Sequence, residues 1–269
     1  YSDRRLEFPL GMFGVAIGTV ILPHLSTRHA ATDPDGFSKG LDWGFRLCLL
    51  IGLPACAGLI LCAEPLMATL FQYRSFSALD AKMSSWSLIA QSTAVPAFLL
   101  VKVLAPAFYS RQDTRTPVKA AIVAVLTNAL CTVGLFAWLL HATPTGQAAL
   151  QAAGGNWRQA LAGIHGTHAL LALAIAVAGW VNALQLAWLL RGAGVYRRQP
   201  GWGRFIGQLL AATLALAVVV LLFRHAWPDW GDWAWWERGW RLAAMVGGGA
   251  VAYAGVLLAL GMRPRDLRH

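Results

Sequence analysis

Four ionisable residues open the chain close together, Asp3, Arg4, Arg5 and Glu7, ahead of Pro9, Gly11, Gly14 and Gly18. On a helix Arg4 and Glu7 stand three apart and Asp3 and Glu7 four apart, so two carboxylates and one guanidinium share a face. Ionisable groups at bilayer depth are costly and turn inward, so such a face lines a polar cavity. At a helix end the same cluster snorkels to the interface, and the sequence leaves both readings open. Pro9 removes a backbone hydrogen bond from that turn, while Gly14 and Gly18 form a GxxxG that lets a second helix approach.

Lys102 is the second candidate, a lone cation in the apolar run from Pro96 to Phe108. It either faces a polar cavity or reaches for the membrane edge. The third is the loop YSRQDTRTPVK, Tyr109 to Lys119, in which Asp113, Thr114 and Thr116 can cap the next helix and Pro117 suits its first turn. Arg111, Arg115 and Lys119 would attract lipid phosphates there. Arg46 and Glu64, near the two ends of one apolar run, read as interface residues rather than a buried pair. His165 and His168 lack a third ligand, so no metal site is expected. A Gly-rich phosphate loop with its Lys, an HExxH and a GxSxG are all missing from the sequence, which points away from an enzyme.

These groups sit in a chain that is 57% hydrophobic and 13% charged, more apolar than a soluble domain of 269 residues can hide in one core. A bilayer core takes about 20 helical residues. Seven runs near that length stand out: Phe8 to Leu25, Gly44 to Leu61, Trp86 to Phe108, Val118 to Leu140, Ala169 to Leu190, Phe205 to Phe223 and Leu242 to Met262. None alternates as a barrel strand does, so the expected fold is an all-α integral membrane bundle of about seven helices. The net charge of +10 is spread between apolar runs. That favours anionic membrane lipids over nucleic acid as partner. Cys48, Cys56, Cys62 and Cys131 lie inside the runs and read as small core residues rather than disulfides or ligands. The connection from Ala142 to His168 reads as a surface loop. Between the last two runs, Trp227, Trp230, Trp233, Trp235, Trp236 and Trp240 alternate with Asp229, Asp232 and Glu237, as an interfacial anchor would; a sugar platform is the sharper alternative. Because Tyr1 opens directly on a charged, helix-like stretch, the sequence reads as part of something longer.

Two stretches carry a resemblance. YSDRRLEFPLGMFGVAIGTVILPHLS, Tyr1 to Ser26, and KVLAPAFYSRQDTRTPVK, Lys102 to Lys119, are similar to segments of lipid II flippases of the MurJ (MviN) type. LDWGFRLCLLIGLPA, from Leu41, and RQPGW, from Arg198, extend the likeness through most of the chain. The resemblance implies a member of the multidrug, oligosaccharidyl-lipid and polysaccharide exporter superfamily, with two six-helix lobes and two added helices. This chain would supply helices eight to fourteen: residues 1–190 as five spans of the C-terminal lobe, residues 191–269 as the added pair. It implies lipid II as substrate, an undecaprenyl-pyrophosphate bearing a disaccharide pentapeptide, and the N-terminal lobe of the same protein as partner. Arg4 would be the cavity arginine of helix eight, since a guanidinium forks onto phosphate oxygens. Glu7 matches an acidic position and would hold Arg4 or pair with an arginine when substrate leaves. Some relatives place sodium near helix eleven with a carboxylate, where this chain has Asn128 and Thr132. No cofactor is implied; a membrane potential or ion gradient would drive transport. The rivals are a drug or polysaccharide-lipid exporter of the same superfamily, a membrane enzyme acting on polyprenyl phosphates, and an inert scaffold.

Sidedness follows from the basic residues. Of the 22 Lys and Arg, 13 fall in segments on the side of the C-terminus, among them Arg111, Arg115, Arg191, Arg197, Arg198 and Arg204. The positive-inside rule places that side in the cytoplasm of an inner-membrane protein. Single cysteines at Gly154 and Arg197 in a cysteine-free background should therefore differ: an impermeant thiol reagent added from the periplasm labels only the first. Equal labelling would refute the assignment.

Overall fold

The computed structural model describes residues 34–72, 77–230 and 232–262. The predicted span from Phe8 to Leu25, and with it Asp3, Arg4 and Glu7, lies outside them. The described residues form helices α1 (Pro34–Leu61), α2 (Ala63–Phe71), α3 (Ala78–Ser92), α4 (Val95–Tyr109), α5 (Arg115–Ala142), α6 (Pro144–Ala152), α7 (Trp157–Gly163), α8 (Thr167–Gly192), α9 (Trp202–Ala226) and α10 (Trp235–Ala259), with no strand among them. Six helical segments are long and apolar enough to cross a membrane: Asp35–Leu61, Ala78–Tyr109, Arg115–Ala142, Thr167–Gly192, Trp202–Ala226 and Trp235–Ala259. Each contains or overlaps one of the six predicted runs that fall within the described residues. The chain is an all-α polytopic membrane bundle.

The helices outrun the apolar stretches because a helix ends where its backbone hydrogen bonds end, not where hydrophobicity does. α1 begins ten residues before the predicted Gly44, at Pro34, where a missing N–H costs nothing. The predicted run from Trp86 starts earlier, at Ala78, where Ser77 and Asp80 form a reciprocal capping box. It breaks at Thr93–Ala94, just before Pro96. There the indole of Trp180 in α8 donates to the Thr93 carbonyl at 2.9 Å. The connection from Ala142 to His168, expected as an open loop, holds α6 and α7 instead. Thr143 accepts from Gly146 N–H at 3.1 Å and Asn156 from Arg158 N–H at 3.1 Å, so each helix has its own cap.

The core lies between α1, α4 and α8, where Leu41, Cys48, Val103, Leu104, Leu186 and Leu190 are buried together. α9 and α10 pack against each other and against α1 and α2. Gly248 makes their contact close, since a side chain there would meet the Phe223 ring at 2.8 Å. The cysteines are all free; Cys48 and Cys62 are buried, Cys56 and Cys131 half-buried.

At one end of the bundle the segment joining α8 to α9 is clasped onto α1. Asp42, 3% exposed, accepts from Trp202 Nε1 at 2.7 Å, Tyr196 Oη at 2.8 Å, Arg46 Nε at 2.8 Å and Gln199 N–H at 3.3 Å. Arg46 also donates to the Pro200 carbonyl at 2.9 Å, and Ser38 exchanges hydrogen bonds with both backbone groups of Arg197. Burial, then the neighbouring Asp42, pushes the Tyr196 hydroxyl well above its ordinary pKa, so it stays a donor. Truncating Asp42 strands several donors around a buried site, whereas Arg46 is partly solvated. Asp42→Ala should therefore cost about 3 kcal/mol of stability and Arg46→Ala about 1. Thermal unfolding in detergent checks the order; an Arg46→Ala loss equal to or larger than that of Asp42→Ala contradicts it.

Candidate functional site

A large apolar cavity of about 630 Å³ opens between α1, α4, α9 and α10, lined among others by Ile51, Gly58, Leu99, Leu216, Ala250 and Tyr253. Its construction begins with a proline. Pro54 in α1 has no N–H, so the Leu50 carbonyl loses its helical partner. Tyr253 reaches across from α10 and donates its hydroxyl to that carbonyl at 2.6 Å. With its one hydroxyl so engaged, Tyr253 presents its ring to the cavity, and the walls are almost wholly aliphatic.

The same logic recurs at the end of the bundle away from Asp42. Pro65 frees the Leu61 carbonyl, and Arg224 at the end of α9 donates to it at 3.1 Å while pairing with Glu64 at 2.9 Å. Arg238, 7% exposed, donates to the carbonyls of Ala68, Gln72 and Trp233, so one guanidinium caps the end of α2. Beside it the Arg241 guanidinium lies 3.7 Å from the ring centre of Trp233 and 5.2 Å from that of Trp240. Trp230 is buried here, while Trp235, Trp236 and Trp240 are exposed, which is the division an interfacial belt requires.

The predicted site residues that lie within the described part of the chain fall in two places. Lys102 is exposed on α4, on the helix face opposite Val103 and Leu104. Arg111, Asp113 and Arg115 fall in or beside the tight turn between α4 and α5. Gln112 there takes φ of 61°, and Asp113 N–H closes the turn on the Phe108 carbonyl at 3.1 Å. Asp113 then caps α5 by accepting from Thr116 N–H at 3.0 Å, and its hydrogen bonds to Thr116 hold its carboxyl below the ordinary pKa. Among the described residues no hydrogen bond joins Lys102 to this turn. Arg46 and Glu64 do not pair with each other: Arg46 pairs with Asp42 and Glu64 with Arg224. Among the described residues no group of three or more His, Cys, Asp or Glu could hold a metal ion. Asp42 is a functional residue that the sequence marks only by its four-residue spacing from Arg46.

The profile of the family described as "Lipid II flippase MurJ" matches residues 1–235. The chain belongs to the MurJ lipid II flippase family. Among its relatives, the "Probable lipid II flippase MurJ" of Vibrio cholerae serotype O1 is 36% identical over 270 residues, covering 100% of this chain and 46% of that protein. The Haemophilus influenzae protein of the same description is 33% identical, covering 99% of this chain and 48% of its own length. The "Lipid II flippase MurJ" of Burkholderia cenocepacia is 37% identical over 217 residues, 81% of this chain and 37% of its own. The chain spans about half the length of the curated relatives it matches. Membership in the MurJ family agrees with the resemblance read in Tyr1 to Ser26 and Lys102 to Lys119.

Proposed function

We propose that this chain is the C-terminal half of a non-hydrolytic lipid II flippase of the bacterial inner membrane, with its C-terminus in the cytoplasm. It works by alternating access between two lobes about a midplane cavity. The observation that carries this reading is the family match over residues 1–235. Residues 1–190 act as the lobe and residues 191–269 as an added pair, and the other lobe is supplied by the N-terminal half.

The apolar cavity supports the reading. Its volume of about 630 Å³ falls in the range of ligand pockets, but the described residues of its walls offer no fixed charge, so it suits a hydrocarbon chain. A polyprenyl chain is as comfortable in lipid as in this cavity, so the gain is packing and alignment rather than hydrophobicity. The pyrophosphate needs cations elsewhere. Arg4 is assigned to it, with Asp3 and Glu7 keeping the guanidinium paired when substrate has left, and Lys102 contributes a further positive charge. Arg111 and Arg115 beside the Asp113 cap meet anionic lipid headgroups at the cytoplasmic edge. No cofactor enters; a membrane potential or ion gradient supplies the driving force.

The test is complementation by the complete transporter in cells depleted of their own flippase, with membrane levels checked by blotting. A phosphate ligand needs the planar fork, so Arg4→Lys should impair growth and Arg4→Ala should abolish it. On a helix the residue after Arg4 would stand about 100° away, so Arg5 serves as control, and Arg5→Ala should grow normally. Normal growth of both Arg4 variants, or a loss in Arg5→Ala as severe as in Arg4→Ala, sinks the assignment. Failure of the unsubstituted protein to complement sinks the function.

A further inference from the structure

The pair α9–α10 is tied to α1 and α2 at three heights. Near the start of α1, Asp42 accepts from Trp202 Nε1 at 2.7 Å and Arg46 donates to the Pro200 carbonyl at 2.9 Å. About 12 Å further along α1, the Leu50 carbonyl accepts from Tyr253. Another 16 Å or about that brings the Leu61 carbonyl, which accepts from Arg224 while Arg224 pairs with Glu64. Arg238 extends this last tie to the carbonyls of Ala68 and Gln72. Apolar contact follows at the same end, where Cys62, Ala68, Leu216, Val220, Trp230 and Met245 are buried together. The pair is also one unit in itself: a side chain at Gly249 of α10 would meet Val220 at 3.1 Å and Leu216 at 3.3 Å, both of α9.

The ties span about 28 Å of helix, close to the roughly 30 Å of a bilayer core. Ties so widely spread resist rocking. A tilt on the order of 15° about Tyr253, the size of a common rigid-body step, would carry the two end ties about 3 and 4 Å apart, past hydrogen-bond reach. A slide along α1 would break all three. Either motion leaves acceptors unpaired: the buried Asp42 carboxylate would lose its donors, or the Leu50 carbonyl would face hydrocarbon, where no water takes their place.

We propose that α9 and α10 travel with α1 and α2 as one rigid body through the transport cycle, so that the spacing between α1 and the pair is the same in both access states. The proposal rests on the flippase reading, which supplies the alternating access. The walls that α1, α9 and α10 give to the large cavity then keep their shape while the lobes rock. The pair is a fixed buttress of its lobe and not a gate.

The experiment staples the pair to its support in the complete transporter, freed of its native cysteines and reconstituted in liposomes with fluorescent lipid II. One variant carries Arg46→Cys with Pro200→Cys, the other Glu64→Cys with Arg224→Cys, positions that reach solvent at opposite ends of the bundle. A bifunctional methanethiosulfonate joins each cysteine pair and dithiothreitol releases it, while the mass of the intact protein reports the stapled fraction. Stapled and released forms should transport lipid II at the same rate. Transport that is lost on stapling at either end and restored by dithiothreitol overturns the rigid body, because the pair must then part from α1 or α2 in each cycle. If one variant is inactive even when released, the other decides; inactivity of both also overturns the proposal, since each leaves the remaining ties in place. An unsubstituted transporter that moves no lipid II removes the flippase reading itself, and the rigid-body inference with it.

Discussion

A proline inside a membrane helix leaves one backbone carbonyl without its N–H, and lipid supplies no replacement. That constraint organises the contact between α9–α10 and the rest of the bundle. Pro54, inside α1, frees the carbonyl of Leu50, and the carbonyl of Leu61, the last residue of α1, finds Pro65 four residues on in place of an N–H; both are met by donors from the other pair of helices, Tyr253 from α10 and Arg224 from α9. Arg238 does the same for the last carbonyls of α2. The interface is thus specified by hydrogen bonds that only these side chains at these heights can make. Apolar packing alone would specify little, because helices gain no hydrophobic energy by leaving lipid for one another.

At the opposite end the polarity is reversed. There α1 supplies the acceptor, Asp42, and the segment after α8 with the first residue of α9 supplies the donors Tyr196, Gln199 and Trp202. The pair of helices is consequently pinned to α1 near both membrane surfaces and at mid-height through Tyr253. Between these points the helices stand apart, and the gap is the apolar cavity.

Much of this was legible in the sequence and some was not, for physical reasons. Length and hydropathy fix spans well, because lipid forces a helix on any run of about 20 apolar residues. The turn at Asp113 was readable because capping is local: Asp113, Thr116 and Pro117 carry the signal within five residues. The caps at Thr143 and Asn156 carry the same kind of signal, but α6 and α7 are not legible as helices, since a Gly, Ala and Gln composition has no apolar period. The clasp at Asp42 was half readable. Its spacing from Arg46 lies within one turn, but Tyr196 and Trp202 are more than 150 residues away and only the fold brings them there. Lone proton donors such as Tyr253 are harder still, because nothing in the local sequence of α10 refers to a proline in α1.

The central claim is that Tyr253 matters because Pro54 is a proline, and a double-mutant cycle measures it directly. Unfolding free energies are compared for the parent, Tyr253→Phe, Pro54→Ala and the double variant in mixed micelles. Loss of the hydroxyl should cost about 1 kcal/mol when Leu50 has no other donor. In the Pro54→Ala background the restored N–H bonds to Leu50, and the same loss should cost close to nothing. A Tyr253→Phe cost that is the same in both backgrounds would show that the hydroxyl does not serve the proline-freed carbonyl, and the account of how the helices are held would be wrong.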